Sequence, residues 1–127
     1  MTTDEVQQII SYAYPLIQKY YGKGKLPIPK IDTSHKNTYD MHSGEPEAQG
    51  EHDATSIAEY YKGVIYLYLP NITNEEELLR SIIHEYTHYR QDSKLLKKYR
   101  QIYTYDKDPF ERQAKKSEEN WKMFSQK

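Results

Sequence analysis

From Thr3 to Tyr21 the apolar positions Val6, Ile9, Ile10, Ala13, Ile17, Tyr20 and Tyr21 return at the three- and four-residue spacing of a helix, behind a Thr-Thr-Asp-Glu opening. Pro15 removes one amide bond and presses on the carbonyl of Ser11, so a kink or break is expected there. Gly22-Lys23-Gly24-Lys25 ends the element. Leu26 to Ile31 then alternates apolar residues with prolines that cannot donate to a ladder, which predicts a short strand with at least one unpaired side. Asp32 to Asp53 is polar and turn-rich and carries His35, His42 and His52. Ala54 to Tyr61 and Val64 to Leu69 read as two strands joined at Lys62-Gly63, a hairpin signal.

Helical spacing resumes at Asn74 and holds to Gln91. Asn71 to Asn74 supply capping side chains, and Thr73 with Glu76 or Asn74 with Glu77 can close a capping box. Glu75, Glu76 and Glu77 occupy the first turn, where the helix dipole favours negative charge. A further segment, Lys94 to Tyr103, follows a cap at Asp92-Ser93. A last helix opens with Asp108 as N-cap and Pro109 in the first position, with Phe110, Ala114, Ser117, Trp121 and Phe124 as its inner stripe. The expected architecture is α+β: an N-terminal helix, a small mixed or antiparallel sheet of about three strands, and two principal helices after it, in one domain spanning 1–127.

Composition narrows this picture. A net charge of −1 with 29% charged residues argues against bulk attraction to nucleic acid or to an anionic membrane. The basic cluster Lys94, Lys97, Lys98 and Arg100 reads as a solvated helix face. Without cysteine there is neither a disulfide framework nor a thiolate metal site. The acidic start lacks the pattern of a secretion signal and no stretch has the length of a membrane span, so a cytoplasmic monomer is expected. Fourteen tyrosines against two phenylalanines and one tryptophan imply a core and cleft rim built from rings with polar tips.

The chemistry lies at His84-Glu85-Tyr86-Thr87-His88, an H-E-x-x-H pentapeptide within the Asn74 to Gln91 helix. Histidines four residues apart share a helical face, so both imidazoles can hold one metal ion. Glu85, about 100° around the helix from His84, stands outside the metal shell but within reach of a bound water, as a general base requires. Leu78, Leu79, Ile82, Tyr86 and Tyr89 fall on the opposite arc, whereas the histidines share theirs with Glu77, Ser81 and Gln91. The pair therefore stands apart from the stripe that must form the core.

A catalytic zinc takes three protein ligands and leaves a position for water. No histidine follows His88, so a downstream third ligand must be a carboxylate. Glu111, near the start of the last helix, is the candidate; its alternative role is to bond back to the N-cap amide. Asp92, a further turn past His88, stands too far along the axis. His35, His42 and His52 are the upstream alternatives, each more simply read as a solvated loop residue. Tyr103 and Tyr105 precede the last helix, and either could stabilise an oxyanion.

The HEYTH pentapeptide followed by Asp108-Pro109-Phe110-Glu111-Arg112-Gln113-Ala114 resembles the gluzincin branch of the zincin metallopeptidases. It is most similar to the very small single-domain members sometimes called minigluzincins and to related peptidase-like proteins frequent in phage genomes. The resemblance covers residues 74–114 and implies a zincin-like fold, Zn(2+) held by His84, His88 and Glu111, Glu85 as general base, and a hairpin strand that pairs with an extended peptide or protein substrate. There is no H-x-x-G-x-x-H continuation, which excludes the metzincin branch. The expected activity is that of a zinc metalloendopeptidase-like hydrolase. The alternative is a catalytically inactive or latent metal-bearing peptide-binding module, the latent form with 120–127 covering the cleft.

Overall fold

A computed structural model describes residues 1–37 and 56–126. Among these the chain is α+β, with four α-helices and a three-stranded mixed sheet. Helix α1 (Thr3–Tyr21) starts at a capping box in which Thr2 accepts from the Glu5 amide and Glu5 accepts from the Thr2 amide. It runs through Pro15 without a break and stops at Gly22, whose φ of 83° suits a residue without a side chain. Val6, Ala13, Tyr14 and Ile17 form its buried face.

Strand β1 is shorter than the alternation predicts, covering Lys30–Asp32 only. The physical reason is Pro27 and Pro29, which have no amide hydrogen to give a ladder. Tyrosine hydroxyls hold this approach instead: Tyr14 donates to Pro29 O at 2.6 Å, and Tyr89 donates to Leu26 O at 2.6 Å while accepting from the Gly24 amide at 3.0 Å. Gly24 is needed there, because a Cβ would come within 3.3 Å of the Arg90 Cα and of the Tyr89 ring.

Strands β2 (Ala58–Tyr61) and β3 (Val64–Leu67) form the expected hairpin. Lys62 and Gly63 both have positive φ, 48° and 84°, as a two-residue turn of the primed type requires. The sheet order is β1-β3-β2, with β1 parallel and β2 antiparallel to the central β3. Ile65 and Leu67 are fully buried. The chain leaves β3 through a 3₁₀ turn at Leu69–Asn71, not through two more strand residues.

Helix α2 (Glu75–Arg90) is the central element, packed against β2, β3, α1 and the C-terminal segments. Asn74 caps it by accepting from the Glu77 amide at 2.9 Å, and the Glu77 carboxylate accepts from the Thr73 amide, one residue earlier than in a standard box. Leu78, Leu79, Ile82, Ile83, Tyr86 and Tyr89 are its core side. Helix α3 (Ser93–Ile102) is capped by Asp92, which accepts from the amides of Lys94 and Leu95.

Helix α4 (Pro109–Ser117) opens on Asp108 as expected, but it does not reach Phe124. Beyond Ser117 the chain tightens to a 3₁₀ helix over Glu118–Phe124. At three residues per turn, Glu118, Trp121 and Phe124 fall in one row, which 100° steps would have splayed. Phe124 is buried and Trp121 packs against the core. Tyr21 donates to Ser117 O at 3.2 Å and accepts from Asn120 at 3.1 Å, fixing this segment to α1. No helix among the described residues is long and apolar enough to cross a membrane.

Candidate metal centre

The two motif histidines leave α2 on the face away from its core stripe, and α4 lies across that face. Glu111, in the first turn of α4, meets both of them. Its Oε2 is 3.0 Å from His84 Nε2 and its Oε1 is 2.9 Å from His88 Nε2, while the two Nε2 atoms are 3.2 Å apart. His88 and Glu111 are buried and the His84 side chain is 12% exposed. These three residues could hold a metal ion.

Hydrogen bonds on the far side of each imidazole decide which nitrogen faces the centre. Gln91 spends its amide hydrogens on Phe110 O at 3.0 Å and Gln113 Oε1 at 2.8 Å, so its oxygen must accept from His88 Nδ1 at 2.7 Å. Glu118 accepts from His84 Nδ1 at 2.7 Å. With both Nδ1 atoms donating outward, two Nε2 lone pairs and a carboxylate converge on one point. Three acceptors so close together repel unless a cation lies among them. Tetrahedral zinc with bonds of about 2.0 to 2.1 Å separates its ligand atoms by roughly 3.3 Å, which the observed spacings approach.

Electrostatics carries the same message. Burial works to keep His84 neutral, but its hydrogen bonds with Glu111 and Glu118 outweigh burial and push its pKa up to about 10. Burial likewise opposes ionisation of Glu111, and the two histidines overcome it, holding the carboxyl well below the usual carboxylate range. The site attracts positive charge, and without a metal a proton on His84 supplies it.

Glu85 lies to the side, as its helical phase requires. Its Oε1 accepts from the Tyr60 amide at 2.9 Å, and no other hydrogen-bond donor meets the carboxylate among the described residues. Burial raises its pKa, against the opposing pull of the two histidines. It lines two adjoining hollows. The smaller, of about 220 Å³, contains His84, His88 and Glu111; the larger, of about 350 Å³, runs along α2 past Ser81 and Glu77.

Strand β2 walls the smaller hollow with Ala58, Glu59 and Tyr60. Because Tyr61 pairs with Val64 across a two-residue turn and Tyr68 N–H donates to Ile57 O, residues 57, 59 and 61 bond inward to β3. The main-chain groups of Ala58 and Tyr60 therefore point along the open edge of the sheet, the Tyr60 amide toward Glu85.

Of the two nominated tyrosines, Tyr105 lines both hollows although much of the residue is exposed; partial desolvation of the phenol, followed by the neighbouring Glu111 carboxylate, raises its pKa. Tyr103 lines neither; it is the C-cap of α3 and stacks edge-on against Tyr99 at 5.7 Å. His35 sits at the end of β1, 3.9 Å from Asp32 and against the Tyr66 ring, outside the cluster. His42 and His52 lie outside the described residues. Asp92 is taken up as a cap.

Sequence reasoning missed Glu118, Gln91 as a hydrogen-bond partner, and Arg100. The first had a signal, since Glu118 follows Glu111 by seven residues and so returns to the same side of the helix. Comparison with protein-family models, with curated proteins and with solved structures gives no match.

Proposed function

We propose that the protein is a zinc-dependent peptidase of the gluzincin type, in which His84, His88 and Glu111 hold the metal and Glu85 is the general base. The observation that carries the reading is the convergence of two Nε2 atoms and one carboxylate beside a carboxylate that is not part of the cluster. Zinc in such a site supplies a Lewis acid and an acidified water. A purely structural site has no use for Glu85.

The chain's own residues account for the remaining steps. The free edge of β2 offers main-chain groups of Ala58 and Tyr60 to an extended peptide, a recognition that depends little on side-chain identity. Glu85 accepts a proton from the attacking water as its oxygen bonds to the carbonyl carbon. It then passes that proton to the departing amine as the carbon–nitrogen bond breaks. Tyr105 can donate its phenolic hydrogen to the oxygen that gains charge, a role for which its raised pKa keeps it protonated.

Residues 120–126 line neither hollow, and Trp121 and Phe124 pack with the core, so the latent form with that tail over the cleft gains no support; a different contact bears on latency. Glu85 is bonded to the Tyr60 amide on the edge where substrate must pair, so base and edge occupy each other. A peptide carbonyl that takes over the Tyr60 amide frees Glu85 for the water; until then the base is held on the strand edge.

The test is elemental analysis with turnover. Purified protein should carry about one zinc per chain, and His88→Ala or Glu111→Ala should lose it. Glu85→Gln should keep the metal and lose cleavage of a peptide library. Full turnover by Glu85→Gln would remove the general-base role, and stoichiometric zinc in Glu111→Ala would remove the third ligand.

A further inference from the structure

Arg100 lines the same hollow as His84, His88, Glu111 and Glu85. It comes from the last turn of α3, four residues after the buried Leu96 and so on the same side of that helix, and although the residue is exposed it stands at the rim of the hollow, which neither Lys97 nor Lys98 lines. Tyr99 against the Phe110 ring at 5.0 Å fixes the roll of α3 on α4 and with it the direction of Arg100.

The acids of the hollow already have partners. Both Glu111 oxygens face histidines, Glu85 accepts from Tyr60, and Glu59 accepts from the Tyr68 hydroxyl at 3.1 Å. Among the described residues Arg100 forms no ion pair. By contrast Arg80, on the larger hollow, pairs with Glu76 at 2.9 Å and lies 3.9 Å from Glu118. A guanidinium without an ion pair at the rim of a hollow whose acids are already partnered is an arrangement that suits an anion. The planar fork of arginine matches a carboxylate in two parallel hydrogen bonds.

We infer that Arg100 receives the terminal carboxylate of the peptide, so that the protein acts on peptides close to their carboxyl end. This rests on the peptidase reading and narrows it from internal bonds to terminal ones. The small volume around Arg100, about 220 Å³ against about 350 Å³ on the other side of His84, suits a short leaving portion on the Arg100 side and a longer retained one along α2.

The test uses zinc-loaded protein and a randomised pentapeptide mixture in two forms, with a free carboxylate and with a carboxamide. Wild type should cleave the acid form at least roughly tenfold faster in kcat/KM, the scale of one charge-assisted pair. Arg100→Leu should bring the acid-to-amide ratio towards one, with the change in KM, and Arg100→Lys should give an intermediate ratio. Equal losses on both forms in Arg100→Leu, or a wild type indifferent to the terminus, would overturn the inference. Calorimetric binding of both mixtures to zinc-loaded Glu85→Gln, with and without Arg100→Leu, reads the same ratio without turnover. Arg100-dependent acid preference in binding without any cleavage by wild type supports the carboxylate site and counts against the peptidase reading alone. If Arg100→Leu does not fold, Arg100→Lys decides: an undiminished ratio in that variant overturns the two-pronged recognition.

Discussion

Glu118 Oε2 lies 2.7 Å from Nδ1 of His84, so a carboxylate from the 3₁₀ segment orients the first histidine of the motif. Gln91 does the same for His88 at 2.7 Å, and its amide hydrogens fasten α2 to α4 through Phe110 and Gln113. Partners of this kind fix the ring and the tautomer, and losing one weakens metal affinity by about 10- to 100-fold.

Glu118→Gln is therefore expected to bind zinc about 10- to 100-fold more weakly while still binding one ion. Competition against a chromophoric chelator measures the affinity, and elemental analysis the stoichiometry. Gln91→Ala should behave alike through His88. Wild-type affinity in both variants would show that these hydrogen bonds do not support the centre.

Metal removal should destabilise the fold. A ligand at 1,000 times its dissociation constant stabilises by about 4 kcal/mol, and the three ligands join α2 to α4, so the loss is felt globally. A chelator is expected to lower Tm by several degrees, and added zinc should restore it. An unchanged melting curve would mean that the three side chains are held equally well without a metal.

Buried tyrosines set the alkaline limit. Tyr68 is fully buried, and burial, followed by the Glu59 charge, raises its pKa; burial raises that of Tyr14 as well. A folded pKa above the unfolded value near 10 means full stability below that value and falling stability as pH climbs through it. Phenolate absorbance from Tyr68 and Tyr14 should therefore appear only with unfolding. Complete ionisation of all fourteen tyrosines while the protein remains folded would contradict this.

Tyr89→Phe removes one hydroxyl that serves both Leu26 O and the Gly24 amide. Stability should fall by about 1 to 3 kcal/mol, the cost of leaving such groups unpaired, and amide exchange should quicken around Gly24. Unchanged exchange there would show that the approach to β1 is held by other contacts.

The sequence carried the parts of this structure that depend on local phase. His84 and His88 emerge opposite Leu79, Ile82 and Tyr86, with Glu85 to the side, because a 16-residue helix leaves no freedom in that matter. Asp108 and Pro109 marked the start of α4, and its first turn sets Glu111 where α4 can cross α2. What phase cannot tell is which element a face will meet. Arg100 looked like one of four solvated cations, and the Tyr99–Phe110 contact that sets α3 against α4, with Arg100 at the rim of the hollow, joins residues on different helices. The parallel pairing of β1 with β3 is equally non-local. Glu118 was legible from its seven-residue spacing to Glu111, whereas the row it makes with Trp121 and Phe124 was not, because the change from 3.6 to 3.0 residues per turn after Ser117 has no strong local mark.

That tightened segment couples two properties usually treated separately. Glu118, Trp121 and Phe124 stand on one row, one end at a histidine and the other in the hydrophobic interior. Erosion of the interior near Phe124 is thereby transmitted as slackness at the ion, and such variants should leak metal before they melt. In this small domain, retention of an ion at His84, His88 and Glu111 would become a gauge of packing quality around a residue far along the chain from the motif.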